Sequence, residues 1–198
     1  MTTLPLPVST ERLLLRPFTP DDLDDLHAYQ GLDEVARYLY RPPLTRDQCA
    51  RSLTRRAAGT VWAEDGDDLC LAVCPVGEAR GGEARGAGKE QVVGEVVLKL
   101  ASARSRQVEI GWIFNPAYAG RGYATEAARA IAELAFAELG AHRLFARLDA
   151  LNTGSARICE RLGMRREAHL VENDLDGERW GSEYVYATLA REWKADRA

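Results

Sequence analysis

The stretch Asn115-Pro116-Ala117-Tyr118-Ala119-Gly120-Arg121-Gly122-Tyr123-Ala124-Thr125-Glu126-Ala127-Ala128 joins an apolar strand to a helix through two glycines. Upstream, Val108-Glu109-Ile110-Gly111-Trp112-Ile113-Phe114 is short, rich in β-branched and aromatic residues, and closed by Asn115-Pro116, which predicts a buried strand ending at about Phe114. Downstream, Ala124, Ala127, Ala128, Ile131, Leu134 and Ala135 recur at three- and four-residue steps until Gly140. That spacing predicts an amphipathic helix over 124–139. A helix start carries unpaired N–H groups and the positive end of its dipole, so the turn Gly120-Arg121-Gly122 attracts anions. Glycine there admits positive φ and lets a phosphate reach the amides. A softened turn without a ligand is the alternative, and the surrounding sequence must choose between them.

Three phosphate-binding patterns compete. A Walker loop needs G-x-x-x-x-G-K-S/T, and neither glycine is followed by Lys-Ser or Lys-Thr. A dinucleotide fingerprint is closer, because an apolar segment downstream ends in Asp149. It fails because Thr125 occupies the third small position, residues 115–119 separate strand from glycines, and too little chain follows Asp149 for a doubly wound sheet.

The third pattern is a resemblance. Ala119-Gly120-Arg121-Gly122-Tyr123-Ala124 resembles the acetyl-coenzyme A loop Q/R-x-x-G-x-G/A of the GNAT superfamily of N-acetyltransferases, with Ala119 replacing the usual Gln or Arg. A second block, Asn152-Thr153-Gly154-Ser155 followed by Glu160-Arg161-Leu162-Gly163-Met164, is similar to the ribosomal-protein N-terminal acetyltransferase branch. Asp176 to Trp180, Tyr186 and Glu192-Trp193 also resemble that branch, with Ser182 where an acid is common.

The resemblance implies an acetyl-CoA-dependent enzyme that acetylates a primary amine by direct attack in a ternary complex. It implies that the loop Ala119, Gly120, Arg121, Gly122, Tyr123, Ala124 and Thr125 holds the coenzyme diphosphate. The backbone of Trp112, Ile113 and Phe114 is expected to hold the pantetheine arm, with one amide polarising the carbonyl. Asn152 is expected to bond that arm or fix its own loop, and Ser155 to work near the departing thiolate, while as plain structure Ser155 caps a helix. Many relatives carry a tyrosine where this chain has Cys159, a residue that could reach the same pocket or simply pack in the core. Arg121 is better placed for the phosphates than Arg129, and Glu126 suits the helix dipole. The acceptor implied is a protein N-terminal α-amine or a small-molecule amine. A non-catalytic acyl-CoA sensor is the alternative of another class.

Glu109 is the first candidate base, since a carboxylate inside an apolar strand either lines a cleft or forms a salt bridge. Glu172 and Asp174 are weaker candidates. No Cys-His or Ser-His pairing suggests an acyl-enzyme.

Elsewhere, Arg12 to Arg16 reads as a first strand, and Thr19-Pro20-Asp21-Asp22 starts a helix reaching about Gln30 with Thr19 as N-cap. Residues 32–40 suggest further helical turns, and Thr45 caps a helix through Ala58 that Gly59 ends. Segments 69–74 and 91–100 read as antiparallel strands. Their connection, 75–90, repeats GEARG and reads as a flexible hairpin insert. A strand at 143–148, a helix at 155–162 and strands near 166–171 and 182–189 complete the order. The fold expected is an α/β, GNAT-like sandwich: a mixed, mainly antiparallel sheet of about six or seven strands with helices on both faces.

The 198 residues, 46% hydrophobic, are expected to form a single domain over 1–198. A net charge of −4 without dense basic runs argues against nucleic acid. The four cysteines form no C-x-x-C pair and the three histidines are far apart, so no metal is expected, and buried thiols suit a reducing, cytoplasmic setting. No membrane segment is expected, and a monomer or homodimer both remain open.

Overall fold

The computed structural model describes residues 4–58, 62–77 and 90–195. Eight strands form one sheet: β1 (Val8–Ser9), β2 (Leu13–Pro17), β3 (Asp68–Pro75), β4 (Gly94–Ser102), β5 (Gln107–Phe114), β6 (Arg143–Asp149), β7 (Arg165–Asp176) and β8 (Arg179–Leu189), in the spatial order β1-β2-β3-β4-β5-β6-β8-β7. The helices are α1 (Leu23–Gln30), α2 (Asp33–Ala36), α3 (Arg46–Ala58), α4 (Tyr123–Ala137), α5 (Thr153–Arg161) and α6 (Ala190–Ala195). All neighbouring strands run antiparallel except β5 and β6, which α4 joins as a parallel crossover.

The near-continuous apolar run of β3 has a cause in this layering. Leu69, Leu71 and Val73 point into one core with α4 and α5, whereas Cys70, Ala72 and Cys74 point into a second core with α1 and α3. A strand covered on both faces has no polar side to alternate with. On α4 the stripe Ala127, Ala128, Ile131, Ala132, Leu134 and Ala135 is buried, and its alanines let the helix lie close on β4 and β5. Full burial of a side chain such as Ile131 contributes roughly 1.5–3 kcal/mol.

Seven of the strands lie where the sequence puts them, and the eighth is β1, a two-residue pairing of Val8 with Leu15 and Ser9 with Leu14. So short a strand, preceded by Pro5 and Pro7, leaves no periodicity to read. The last two strands are longer than expected, because Asp176 to Arg179 is the turn of a hairpin whose arms run outward past the rest of the sheet. The helix start at Thr19 differs in detail: Pro20–Asp22 is a 3-10 turn ahead of α1. There Asp22 accepts from the Thr19 N–H at 2.8 Å and its hydroxyl at 3.1 Å, while Arg16 donates to both Asp22 oxygens at 2.8 and 3.0 Å. Gly59, expected to end α3, and residues 78–89 of the expected insert lie outside the described residues. Among the described residues no helix is long and apolar enough to cross a membrane.

Candidate active site

Strands β5 and β6 part. Their parallel pairing covers only Gln107 with Arg143, Val108 with Leu144 and Glu109 with Phe145, whereas β4 stays paired with β5 out to Phe114 and β8 with β6 out to Asp149. Beyond Glu109 the two central strands therefore carry facing edges with no registered partner between them. Trp112, Ile113 and Phe114 lie on that stretch of β5. Their side chains divide, with Trp112 and Phe114 packed against the α4 core and Ile113 against the α1–α3 core.

The glycine loop sits where β5 leaves this cleft. Asn115 accepts a hydrogen bond from the Ala117 N–H at 3.0 Å, and Pro116–Tyr118 forms one 3-10 turn. Gly120 has φ +77° and Gly122, the N-cap of α4, φ +82°, both in the left-handed region that glycine tolerates best. A Cβ on Gly120 would meet nothing within 4 Å, so the space beside that glycine is open. Tyr123 is buried in the α4 core, while Ala119 is exposed and Ala124 and Thr125 are half-buried at the helix start. Positive-φ glycines, open space beside Gly120 and the N-terminus of a fifteen-residue helix suit a diphosphate.

The loop has a brace the sequence did not reveal. Glu126 accepts from the Thr10 hydroxyl at 2.6 Å, the Arg12 N–H at 3.1 Å, Arg12 Nε at 2.8 Å and Arg12 Nη2 at 2.5 Å, and Arg12 Nη1 donates to the Arg121 carbonyl at 3.0 Å. Burial alone would raise the Glu126 carboxyl, but these bonds outweigh it and hold it below the ordinary carboxylate range. Glu126 is thus the anchor of the loop as well as a favourable charge at the helix start. The Arg121 guanidinium lies over the Tyr118 ring at 5.1 Å. Arg129 is turned away from the loop, donating to the Arg161 carbonyl at 2.7 Å at the end of α5.

Across the cleft, Asn152 is the N-cap of α5, its side chain accepting from the Ser155 N–H at 3.0 Å. Ser155 is therefore in the first turn of the helix, and the capping role considered for it belongs to Asn152. Its hydroxyl accepts from Trp112 Nε1 at 3.2 Å, which links β5 to α5 across the parted strands. Cys159, one turn on, is fully buried, and burial pushes its thiol up to about 12, so it is a packing residue and a poor nucleophile at neutral pH.

Glu109 lies on the opposite, α1–α3 face of the sheet, beside Lys99 of β4 and Phe145 of β6 in register. It is half-buried, and among the described residues no hydrogen bond or ion pair engages its carboxylate, although Arg147 feels its charge. The structure brings Glu109 and Ser155 to the two faces of one cleft. Glu172 and Asp174 are exposed on the β7 bulge. Asp149, the acid of the rejected dinucleotide pattern, is buried at the end of β6, with Oδ1 accepting the Leu151 N–H at 2.7 Å and Oδ2 the Tyr40 hydroxyl at 2.8 Å.

A mixed sheet parted at its single parallel junction, with an amide loop at the mouth and a capped helix opposite, defines an α/β acyl-transfer fold. The chain belongs to the GNAT acetyltransferase family, whose domain model, described as an acetyltransferase (GNAT) domain, matches residues 12–165. It is similar to the uncharacterized N-acetyltransferase YnaD of Bacillus subtilis, with 31% identity over 94% of this chain and 98% of that protein. Among solved structures it resembles the GNAT-family acetyltransferase of Bacillus anthracis, with 30% identity, a TM-score of 0.81, and coverage of 94% of this chain and all of that one. The fold also matches a spermidine N-acetyltransferase of Vibrio cholerae solved with CoA and spermine, at 18% identity, a TM-score of 0.74, and coverage of 93% and 99%. The chain is accordingly an N-acetyltransferase, which replaces the sensor alternative.

Proposed function

We propose that the protein takes acetyl-CoA as donor and transfers the acetyl group to a primary amine by direct attack within a ternary complex. The observation that carries this is the parting of β5 from β6 beyond Glu109, with the glycine loop at one end of the gap. Acetyl-CoA supplies an activated acetyl thioester. The edge at Trp112 to Phe114 offers backbone groups for a pantetheine arm, as an added strand would use them, and an amide there polarises the thioester carbonyl. The loop from Ala119 to Thr125 holds the diphosphate.

Glu109, whose carboxylate makes no hydrogen bond or ion pair among the described residues and which lies beside the gap, takes the proton of the incoming ammonium directly or through water. Ser155, its oxygen fixed by Trp112, delivers a proton toward the departing sulfur. Direct attack is supported by the buried state of Cys159. The acceptor read first is a protein N-terminal α-amine, as in the ribosomal-protein branch, with small-molecule amines alongside it. A cytoplasmic setting is supported by Cys49, Cys70, Cys74 and Cys159, all buried and unpaired.

Thiol release from acetyl-CoA, measured against peptides of varied N-terminal residue and a set of small amines, tests this reading. Acetylation of at least one amine class is expected. Coenzyme hydrolysis alone, or no coenzyme binding by calorimetry, would overturn it.

A further inference from the structure

We propose that Arg12 is a positioning residue for coenzyme binding: its guanidinium orients the Gly122 amide for the diphosphate and cancels the charge of Glu126 beside it. The inference rests on the acetyltransferase reading and deepens it.

The tight connection between β1 and β2 carries Arg12. In it the Thr10 N–H donates to the Leu13 carbonyl at 2.8 Å and the Leu13 N–H to Thr10 Oγ1 at 2.9 Å, so the turn is closed from both sides. The two-residue pairing of β1 with β2 holds the same turn at its base. The Thr10 hydroxyl and the Arg12 N–H both donate to Glu126 Oε1, which seats the turn on the first part of α4. Arg12 therefore meets the glycine loop from a fixed backbone.

One consequence is directional. A trans peptide is planar, and its C=O and N–H point opposite ways. Arg12 Nη1 donates to the Arg121 carbonyl at 3.0 Å, so the N–H of the same peptide, that of Gly122, points away from the guanidinium. The approach is close, since a Cβ on Gly122 would stand 3.4 Å from Arg12 Nη2. Among the described residues the N–H groups of Gly122, Ala124 and Thr125 have no acceptor, as expected where a helix begins. Gly122 has φ +82°, and glycine moves between both signs of φ more readily than any other residue. A peptide turned over there would present the Arg121 oxygen in place of the Gly122 N–H, and that oxygen repels a diphosphate. The bond from Arg12 selects the productive orientation.

The other consequence is electrostatic. Glu126 lies one helical turn beyond Gly122, and its charge, favourable to the helix dipole, opposes a diphosphate bound at the same helix end. Arg12 Nε and Nη2 donate to Glu126 Oε2 at 2.8 and 2.5 Å, which cancels the carboxylate where it stands. A lysine would carry the charge but not the fork that reaches Glu126 and Arg121 together.

Titration calorimetry with free CoA, and displacement of CoA by pantetheine, the same arm without diphosphate and nucleotide, separate the loop from the rest of the cleft. Both dissociation constants would be measured for the wild type, Arg12→Met, Arg12→Lys and the double variant Arg12→Met/Glu126→Gln. Arg12→Met is expected to weaken CoA by about tenfold or more, the loss of a charge-assisted hydrogen bond, with pantetheine unchanged. Arg12→Lys should fall between Arg12→Met and the wild type. The double variant, freed of its stranded carboxylate, should recover part of the CoA affinity, and no recovery would overturn the charge-cancelling role. CoA binding at the wild-type level in whichever of Arg12→Met and Arg12→Lys folds, or an equal loss for CoA and pantetheine, would overturn the positioning of the loop. Failure of the wild type to bind free CoA would instead remove the acetyltransferase reading, and the role of Arg12 with it.

Discussion

Glu109 and Gly122 illustrate two kinds of residue-level evidence. At Glu109 the sequence left a base and a salt-bridged strand residue equally open, and a half-buried carboxylate with no ion pair among the described residues favours the first. Glu109→Gln should lower kcat about a hundredfold while leaving coenzyme affinity intact; an unaltered kcat in steady-state kinetics would remove it as base. At Gly122 the constraint is the backbone, since φ +82° is strained for any side chain, while a Cβ would stand an unforced 3.4 Å from Arg12 Nη2. Gly122→Ala should therefore cost roughly 1–2 kcal/mol of stability in urea unfolding and weaken CoA binding in the same protein. Retention of both values would refute the loop assignment. Both residues were legible locally because strand, glycines and helix are contiguous in sequence. Arg12 and Tyr40 were not, because each acts on a partner more than a hundred positions away, at Glu126 and Asp149.

Among the elements, the start of α1 shows how a correct motif can hide a different device. Thr19 does begin the helical segment, but the group that gathers the local donors is Asp22, fully buried beneath Arg16. Burial alone would raise this carboxyl, yet the bonds from Arg16 and Thr19 prevail and hold it below the ordinary range. A depressed carboxylate contributes stability that is present above its unfolded value, about 3.9, and lost as pH falls through the folded one. The wild type should thus lose stability steeply below about pH 4. Asp22→Asn should start about 3 kcal/mol lower at neutral pH, because Arg16 loses its buried counter-charge and keeps the more exposed Glu90 at 3.4 Å, and then fall less steeply with acid. Urea titrations from pH 7 to pH 3 would check this, and parallel curves would contradict it. The composition Thr-Pro-Asp-Asp announces a helix start, but which carboxylate turns inward depends on β2, and that no local pattern carries.

At the scale of the whole molecule, the α1–α3 layer is attached to the sheet by an apolar core and by a polar cluster at Glu95, which joins Tyr29 and Gln30 of α1 and Arg56 of α3 to β4. Glu95 is only 4% exposed, so Glu95→Gln should cost roughly 3 kcal/mol by leaving Arg56 uncompensated. Calorimetric unfolding with a melting temperature close to wild type would show that the layers rely on apolar packing instead. The layered order and the parallel crossover were readable because apolar runs and helix stripes are properties of segments. The eighth strand and the outward reach of the last hairpin were not, since each depends on what pairs with it.

The separation of β5 from β6 has one more consequence. Unsatisfied strand edges usually lie on the outer rim of a sheet, where another protein chain can dock and start aggregation. Here the vacant stretch is interior, with β4 on one side and β8 on the other, so it does not lie on the outer rim of the sheet. The molecule can keep an adhesive backbone surface away from the border where neighbouring chains ordinarily attach.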